Sequence, residues 1–595
     1  MATDKQEVSN KKSENKEGNA FDLKLLRRIV LLATPYKKYG ITAIITTVSL
    51  AILMPLQPLL IRLSLDKYIA NGDLDGLTHM LMLLVGLLII QTLIMFVNTY
   101  LTNWLGQEVI SALRVRVFKH LTSLKVKFYD KTPIGTMVTR SVSDIETVAN
   151  IFSQGIITIS GDFLTLFVIT FLMFYTDWKL TLICLAVLPL LVYASNQFRK
   201  GVKGAFQQVR TQISRLNSFV QEHITGMSVV QIFNREEAEL SKFKEINRLH
   251  LEANKKSIFH YAIFFPIVEI ITATSIGLMV WYGSRNALNG SITPGVMVSF
   301  ILYLNMFFRP IRLIADRFNT MQMGMVASER IFALIDDATY VEETGSHKAE
   351  IIGDVRFDNV SFGYSEGEEI IKGISFHVKP GKTLAIVGAT GSGKSTLVNL
   401  LTRFYSHQNG NITIDDLPVE QWDLANLRSQ IAFVLQDVFL FSGTVEENIR
   451  LIEDRISHED MMQAAKQIGA HGFIEKMEDG YGYNVMERGS SLSVGQRQLI
   501  SFARALAFNP KILILDEATS SVDSETEALI QQAISKLMFG RTSVVIAHRL
   551  STIRTADTIL VLEQGKVLEK GSHKALVEQK GAYYKLLMSQ QFVEM

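Results

Sequence analysis

The chain has 595 residues, of which 48% are hydrophobic and 20% charged, and its formal net charge is +2. This length is too great for a single hydrophobic core and predicts at least two domains. A net charge so close to zero gives no reason to expect nucleic-acid binding driven by bulk electrostatic attraction. A single cysteine, Cys184, excludes an internal disulfide framework.

The N-terminal region precedes any apolar run. Residues 1–20 are polar, mixed in charge and without an apolar core, so they predict a disordered cytoplasmic tail and not a secretory signal. Residues Lys24 to Lys38 are basic and amphipathic. This second segment is consistent with a helix lying along the membrane surface, although an ordinary helix start would show the same pattern.

Apolar stretches then recur, each near the length of about 20 residues that a bilayer crossing needs. We predict six spans, with approximate bounds Tyr39–Leu65, Leu77 to beyond Trp104, Ile151–Tyr175, Trp178–Tyr193, Ile258–Tyr282 and Ile292–Ile314. Pro55 and Pro58 predict a kink in the first span, tolerable only if neighbours satisfy the freed carbonyls. Only Thr176 and Asp177 separate the third span from the fourth, so these two form an antiparallel hairpin.

Lysine and arginine are concentrated on one side of the predicted spans. They precede the first span and follow the second and fourth, at Arg27, Arg28, Lys37, Lys38, Arg114, Arg116, Lys119, Lys125, Lys127, Arg199, Lys200, Lys203 and Arg210. The positive-inside rule makes these segments cytoplasmic. Two of the cytoplasmic connections, 107–150 and 198–256, are long and are interrupted near Pro133 and Gly226. Each interruption predicts either a short transverse helix that contacts a soluble domain or a plain hairpin tip.

Some side chains within the spans suit a substrate pathway. Glu269, Asn305 and Arg309 are costly in hydrocarbon, so we expect them to face a cavity or one another. The aromatic residues that would suit a lipid or an amphipathic drug, or would otherwise serve as packing or interfacial anchors, are Trp281, Phe307 and Phe308.

The soluble half begins after a polar connector and contains a phosphate loop. The strand Thr383–Val387 runs directly into a glycine-rich segment that opens a helix, which is the context that such a loop requires. The loop residues are Gly388, Ala389, Thr390, Gly391, Ser392, Gly393, Lys394, Ser395 and Thr396. Lys394 would neutralise the β- and γ-phosphates of a nucleotide, and the Ser395 hydroxyl would ligate Mg²⁺.

Three further strands deliver polar side chains. Ile512–Leu515 ends in Asp516, placed to hold Mg²⁺, and in Glu517, placed to act as general base on the attacking water. Ser543–Ala547 leads to His548, which in this order of elements indicates a γ-phosphate sensor. Gln436 follows the strand IAFVL and could orient both water and Mg²⁺.

Taken together with the segment LSVGQ at Leu492–Gln496, these motifs are specific, because other phosphate-loop ATPases lack that segment before the carboxylate strand. From Phe21 to the C terminus the chain resembles an ABC transporter half of the exporter type. The resemblance implies an all-α membrane domain of six transmembrane helices with long cytoplasmic extensions at 21–335, and a linker at 336–352. It also implies an α/β ATP-binding cassette domain at 353–595, with an antiparallel β subdomain and a helical subdomain.

The resemblance also carries site roles onto this chain. Tyr364 would stack on adenine, with a core tyrosine as the less favoured alternative. Gln436 would be the coupling-loop glutamine, and Glu487 would meet the transverse helices. The signature residues that would contact nucleotide held by the opposite subunit are Ser493, Val494, Gly495 and Gln496, and the loop that would cross between subunits is Ser521, Val522 and Asp523.

The family mechanism implies a dimer, because each ATP lies between the phosphate loop of one half and the signature of the other. Val494 stands where the family usually has glycine, so the second half could be an identical chain or a homologous one. The expected partners are that second half, membrane lipid and a small amphipathic substrate, with no nucleic acid. A bacterial inner membrane, with the N terminus and the ATPase domain in the cytoplasm, fits the short loops.

Three other protein classes share part of this pattern. A soluble ABC ATPase would have the motifs without the spans, and an importer usually keeps spans and ATPase on separate chains. An ATP-gated channel would share every feature of the sequence and is distinguished by ion current.

Overall fold

The computed structural model describes residues 22–337, 345–365, 367–451, 455–516, 524–547 and 549–591. The chain divides into two compact units, the first formed by Met1–Thr122 and Pro133–Ala338 and the second by Ser123–Thr132 and Thr339–Met595. The predicted tail at 1–20 lies outside the described residues.

The described part of the first unit is helical. Its helices are α1 (Leu23–Leu32), α2 (Lys37–Leu63), α3 (Leu74–Thr122), α5 (Ile134–Ser141), α6 (Ser143–Asn150), α7 (Ile157–Thr176), α8 (Trp178–Leu185), α9 (Leu188–Thr225), α10 (Met227–Ile232), α11 (Glu236–Leu288) and α12 (Pro294–Asp336). Single π-helical segments at Ser64–Ile69 and Ile151–Ile156 continue α2 and precede α7.

Six of the described helical stretches are long and apolar enough to cross a membrane, so the predicted number of spans is confirmed. They are Thr34–Ile69, Leu74–Thr122, Ile134–Thr176, Trp178–Thr225, Glu236–Leu288 and Pro294–Ile311. The fifth has 53 residues, which at the rise of an α-helix is about 80 Å, far more than the roughly 30 Å of a hydrocarbon core. The predicted long extensions beyond the apolar part are therefore present.

Burial differs between the spans and identifies the centre of the first unit. In the most apolar window of the sixth span 44% of the residues are buried, against 6% in the second. The side chains of Phe300, Tyr303 and Phe308 on α12 are fully buried. Cys184 is also fully buried, and the Ser275 hydroxyl donates a 2.8 Å hydrogen bond to its carbonyl oxygen, as expected of a small packing residue.

The predicted amphipathic segment near the N terminus forms α1. The Asp22 carboxylate caps it by accepting hydrogen bonds from the backbone N–H groups of Lys24 (2.8 Å) and Leu25 (3.2 Å). Ile29 is fully buried on one face, and Arg28 forms an ion pair with Asp336 at the end of α12. The helix therefore packs against its own unit, while contact with a membrane surface stays a prediction.

The interruptions in the two long connections, 107–150 and 198–256, each contain a six-residue helix. The first is α4 (Val126–Lys131), which belongs to the second compact unit, and the second is α10. Short helices, and not bare turns, therefore occupy both predicted tips. The helix α4 is thus part of the unit that holds the phosphate loop.

The second unit is an α/β domain, as expected. Its strands are β1 (Val355–Phe362), β2 (Ile371–Val378), β3 (Thr383–Gly388), β4 (Asn409–Ile414), β5 (Leu417–Pro418), β6 (Ile431–Val434), β7 (Ile512–Asp516), β8 (Thr542–Ile546), β9 (Thr558–Glu563) and β10 (Lys566–Gly571). Its further helices are α13 (Lys394–Leu401), α14 (Leu424–Ser429), α15 (Val445–Arg450), α16 (His458–Ile468), α17 (His471–Ile474), α18 (Val494–Ala507), α19 (Ser524–Met538), α20 (Leu550–Thr555), α21 (His573–Gln579) and α22 (Ala582–Gln591).

The described strands form two sheets. One is antiparallel with four strands in the order β2-β1-β4-β5, and the other has six in the order β10-β9-β3-β8-β7-β6. Within the larger sheet, β9, β3, β8, β7 and β6 are parallel neighbours. Successive residues of β3 alternate between two cores, with Leu384 and Ile386 on one face and Ala385 and Val387 on the other. Both faces of the central strand are therefore buried, which explains its continuous apolar sequence.

Candidate nucleotide-binding site

The predicted nucleotide residues lie at one edge of the larger sheet. Parallel strands end at a common edge, and open α/β sheets bind ligands outside the carboxyl ends of their strands. Ile546 of β8 pairs in register with Ile386 of β3 on one side and with Asp516 of β7 on the other. The phosphate loop begins at Gly388, the last residue of β3 and two residues after Ile386, so the loop and the Asp516 carboxylate emerge from the same edge.

The phosphate loop has a backbone that requires glycine. Gly391 and Gly393 have φ angles of 82° and 103°, in the region that side chains rarely tolerate. A Cβ on Gly388 would lie 2.2 Å from the carbonyl oxygen of Leu562 on the neighbouring strand β9. These constraints shape a tight turn whose last residue, Gly393, leads directly into α13.

Lys394 opens α13 and its side chain curls back over the loop. Its Nζ donates hydrogen bonds to the carbonyl oxygens of Gly388 (2.8 Å) and Ala389 (3.0 Å). Burial lowers the pKa of Lys394, and the nearby Asp516 carboxylate opposes that shift. The result is a mostly buried cation whose charge is poorly solvated, which favours capture of an anion.

The fit of a nucleotide phosphate can be judged from the loop itself. The Ser392 hydroxyl is buried, and its oxygen has no hydrogen-bond partner within the described residues. A buried polar group without a partner is costly, and an anionic oxygen in the loop would accept a hydrogen bond from it. The orphaned hydroxyl, the lysine and the helix N terminus therefore suit a bound phosphate chain.

The predicted metal ligands surround the same edge. Ser395 is exposed on the first turn of α13, and Gln436 is exposed two residues after the end of β6. Because β6 pairs with β7, Gln436 emerges beside Asp516. Hydroxyl, amide and carboxylate oxygens, completed by phosphate oxygens, suit Mg²⁺. Two of the proposed catalytic residues, Glu517 and His548, and the crossing-loop residues Ser521, Val522 and Asp523 lie outside the described residues.

Tyr364, the candidate for adenine stacking, lies beside the phosphate-loop helix. Its hydroxyl is 3.3 Å from the Thr396 hydroxyl and accepts a hydrogen bond from Asn399 Nδ2 at 3.3 Å. Its half-buried ring meets the Phe362 and Tyr405 rings edge to face, with centroid distances of 5.0 and 4.8 Å. Tyr364 is thus supported by packing on one side, and it also lines a cleft of about 280 Å³.

The wall of that cleft includes residues that the sequence analysis did not single out. Tyr405 donates a hydrogen bond to the carboxylate of Asp130 on the short helix α4. Lys127 and Lys131, also on α4, line the same cleft as Tyr364. The tip of the first long connection therefore lies beside the candidate adenine site, and no local pattern around Asp130 or Tyr405 would have paired them.

The signature segment forms the beginning of α18. The Ser493 hydroxyl accepts a hydrogen bond from the backbone N–H of Gln496 (3.2 Å), and the Gln496 side-chain oxygen accepts one from the backbone N–H of Ser493 (3.0 Å). This is a capping box. Gly495 is buried, whereas 43% of Val494 is exposed on the first turn. Val494 is helical, so its β-branched side chain imposes no backbone strain at this position.

The residues proposed to face a substrate in the spans have mixed environments. Phe307 and Phe308 are buried and pack edge to face, so they belong to the core of the first unit. Trp281 is 63% exposed, and Asn305 and Arg309 are also exposed. The Asn305 amide donates a hydrogen bond to the carbonyl oxygen of Ile301 at 2.9 Å. Trp281, Asn305 and Arg309 therefore remain candidates for contact with a substrate or lipid, and the buried Phe307 and Phe308 do not.

Two separate parts of the chain match known protein families. Residues 41–311 match the family described as the ABC transporter transmembrane region, and residues 371–520 match the family described as ABC transporter. The first match covers most of the predicted spans, and the second extends from β2 through the phosphate loop to the region after Asp516.

Relatives match nearly the whole chain. YknV of Bacillus subtilis (strain 168), described as an ABC transporter ATP-binding protein, is 40% identical over 95% of this chain and 94% of its own length. YheH of the same organism, described as a "probable multidrug resistance ABC transporter ATP-binding/permease protein", is 37% identical over 86% of this chain and 77% of its own length. The ATP-dependent lipid A-core flippase of Syntrophus aciditrophicus (strain SB) is 32% identical over 96% of this chain and 95% of its own length.

Proposed function

This chain belongs to the ABC transporter family as a membrane-integral, ATP-hydrolysing half-transporter of the exporter type, and on that premise we propose that it exports a hydrophobic or amphipathic substrate as one half of a dimer. The observation that carries the proposal is that one phosphate loop and one signature segment are joined to six apolar spans in the same chain. A pump of this class needs two copies of that set.

Within each half, the sheet edge would hold MgATP. Lys394 would leave the carbonyl oxygens of its own loop for the β- and γ-phosphates, and the Ser392 hydroxyl would gain its missing partner. Ser395, Gln436 and Asp516 would hold Mg²⁺, which neutralises phosphate charge when bound. Glu517 would take a proton from the attacking water, and His548 would contact the γ-phosphate.

The second half would supply the signature. The Ser493 hydroxyl and the backbone N–H groups at the start of α18 form a helix N terminus suited to an anion. The helical backbone at Val494 and its exposed side chain support a signature that still binds phosphate, and so support a dimer of identical chains. A homologous partner carrying the usual glycine is the alternative form of the same proposal.

The substrate class rests on the relatives and on the spans. Relatives are named for multidrug resistance and for flipping lipid A-core, and these names support a hydrophobic or amphipathic substrate for this chain. The distribution of lysine and arginine supports a cytoplasmic location for the ATPase domain, and the bacterial relatives support a bacterial inner membrane. Alternating closure and opening of the paired ATPase domains would then expose the cargo to the other face of the membrane.

The first experiment measures ATP hydrolysis by the chain in lipid nanodiscs, with the mass of the particle determined on the same sample. We expect two identical chains per particle and Mg²⁺-dependent hydrolysis that falls at least about 100-fold in Glu517→Gln, because general-base catalysis typically contributes 10²–10⁴-fold. A monomeric, inactive sample would instead require a homologous second half.

Export itself is tested in liposomes that hold a fluorescent phospholipid or a membrane-partitioning dye. ATP should move the probe across the bilayer in wild-type vesicles and not in Glu517→Gln vesicles. ATP hydrolysis without movement of either probe would contradict the amphipathic substrate class. An ATP-dependent ion current would indicate a channel instead of a pump.

A further inference from the structure

A cleft of about 540 Å³ lies between the helical extensions of the fourth and fifth spans, in α9 and α11. The residues that line it are Gly201, Gly204, Ala205 and Gln208 on α9, and Lys255, Lys256, Phe259 and His260 on α11. This cleft is within the first unit and contains none of the residues assigned to the nucleotide. Its chemistry therefore needs a separate explanation.

The two helix segments that face the cleft carry cations without acids. Residues 196–210 and 253–260 contain no aspartate or glutamate, and their basic residues are Arg199, Lys200, Lys203, Arg210, Lys255 and Lys256. Lys256 Nζ donates a 3.3 Å hydrogen bond to Gln208 Oε1. Glu252, one turn before the two lysines, pairs with Arg248 instead, and neither Lys255 nor Lys256 forms an ion pair with a carboxylate among the residues that the structure describes. The α11 side of the cleft therefore presents two lysines that are not paired with an acid.

The floor of the cleft is open because α9 has small residues there. The space beside Gly201 is occupied by His260 of the opposite helix, since a Cβ at Gly201 would lie 2.5 Å from the His260 ring. At Gly204, by contrast, a Cβ would meet no atom within 4 Å. The space over the exposed Gly204 is therefore open, and Lys255 and Lys256 of α11 line the same cleft.

The position along the chain points to a ligand at the membrane boundary. The cleft begins at Gly201, eight residues after the predicted end of the fourth span at Tyr193, and reaches Phe259 and His260 at the start of the predicted fifth span. Ile258 and Phe259 expose 65% and 62% of their surfaces beside the lysines. A ligand here would meet cations and an exposed apolar rim together, which matches the phosphate and the upper acyl chain of a phospholipid.

We propose that the cleft formed by Gly204, Lys255, Lys256 and Phe259 binds the headgroup phosphate of an anionic phospholipid from the cytoplasmic leaflet. The cytoplasmic side follows from the proposed membrane orientation. The lysines hold the phosphate, Phe259 contacts the acyl chain, and the glycine floor admits the headgroup. A bound lipid would bridge α9 and α11, the two helices that lead to the tip helix α10.

The test is native mass spectrometry of the full chain, equilibrated with equal amounts of phosphatidylglycerol and phosphatidylcholine. Wild-type protein should retain phosphatidylglycerol in preference to phosphatidylcholine. Lys255→Gln/Lys256→Gln should weaken that binding about tenfold or more, since each lysine near an anionic lipid surface contributes roughly a fivefold factor. Gly204→Leu should block binding sterically while keeping both charges.

The matched control is Lys244→Gln. Lys244 is exposed on the same helix α11, about 16 Å along the axis from Lys255, and its loss should leave lipid binding unchanged. Equal retention of both lipids by the wild type, or unchanged binding in the lysine double variant and in Gly204→Leu, would overturn the proposal. Displacement of phosphatidylglycerol by excess inorganic phosphate would overturn the lipid source and assign the site to a free anion.

Discussion

The guanidinium of Arg504, on the signature helix α18, donates a 2.8 Å hydrogen bond to the carbonyl oxygen of Asn448 at the end of α15. A second bond reaches the carbonyl oxygen of Phe439 at 3.2 Å, in the loop that begins at Gln436. Burial lowers the pKa of Arg504 to about 10, so it is still charged at neutral pH. One side chain therefore joins the signature helix to the loop that carries the candidate coupling glutamine.

Arg504→Gln should loosen this connection. The Asn448 carbonyl would lose its charged partner, at a cost of about 1–3 kcal/mol in the stability of the second unit. We expect a several-fold fall in kcat for ATP hydrolysis with little change in nucleotide affinity, because the phosphate loop is untouched. Arg450→Gln is the control, since Arg450 pairs with Glu446 on α15 in a partly exposed contact that should contribute less. Equal effects of the two variants on kcat would argue against the proposed connection.

Tyr405 and Asp130 offer a second test, of the link between α4 and the candidate adenine site. Tyr405→Phe keeps the ring contacts with Tyr364 and Phe362 and removes only the hydroxyl that bonds Asp130. Burial first, and the bond to Asp130 second, raise the pKa of Tyr405, so it stays protonated and can donate throughout the usual pH range.

A double-mutant cycle with Asp130→Ala measures this link. Tyr405→Phe, Asp130→Ala and the double variant should all lower thermal stability by similar amounts, with a coupling energy of about 1–2 kcal/mol for a hydrogen bond to a charged group. Additive effects, with no coupling, would show that the two side chains act independently.

Asp66 caps the sixth span and supports a third prediction. Its carboxylate accepts hydrogen bonds from the Gly295 N–H (2.8 Å) and the Thr293 hydroxyl (2.5 Å) at the start of α12. Arg62 Nε lies 3.6 Å from the same carboxylate. Asp66→Ala should therefore destabilise the first unit by about 1–3 kcal/mol, seen as a lower melting temperature in nanodiscs.

Gly295→Ala provides the matched check on that contact. A Cβ at Gly295 would lie 2.5 Å from Asp66 Oδ1, so this substitution should also lower the melting temperature. In an Asp66→Ala background the clash disappears, so adding Gly295→Ala should lower the melting temperature much less than it does in the wild type. If Gly295→Ala lowers the melting temperature equally in both backgrounds, its effect does not come from the contact with Asp66.

The C-terminal helices should confer a pH dependence on the second unit. His573 Nδ1 lies 2.7 Å from the hydroxyl of the buried Tyr583. Burial, and then the charge of Arg554, lowers the pKa of His573 below its usual 6.5. Below pH 6.5 the unfolded chain takes up a proton on this histidine before the folded chain does, so stability is lost as pH falls through that range.

His573→Gln removes this titration. Melting temperatures of the full chain measured between about pH 7.5 and 5 should fall less steeply for the second unit of the variant than for that of the wild type. Above pH 7 His573 is mostly neutral in both the folded and the unfolded wild-type chain. The melting temperatures of the wild type and of His573→Gln should therefore vary with pH in the same way in that range. Parallel curves across the whole range would contradict a role for His573.

Much of the architecture could be predicted because its signals are local. The length of an apolar stretch decides whether it can span a bilayer, and the predicted spans correspond to six helices. The alternation of apolar strand, glycine turn and helix likewise identifies the phosphate loop without knowledge of distant residues. Local breaks in the sequence also indicate the positions of the tip helices α4 and α10. Only the structure could distinguish a short helix from a plain hairpin tip at each position.

The contacts that connect these parts could not be predicted. Asp66 and Gly295 are 229 positions apart in sequence, and Asp130 and Tyr405 are 275 apart. Neither partner of either pair lies in a motif, and a single hydrogen bond leaves no periodic trace. Likewise, the sequence predicted aromatic side chains suited to a substrate at Phe307 and Phe308, but only packing shows that both are buried in the core.

The sequence by itself determined the spans, the phosphate loop, the signature helix and hence the family, because hydrophobic length and motif spacing act over a few turns of chain. Only the tertiary structure decided that Arg504 bonds the loop after Gln436, that α4 belongs to the unit of the phosphate loop, and that Lys255 and Lys256 border an open cleft. These depend on which helices pack together, since packing free energy is summed over many distant contacts and appears at no single position of the chain.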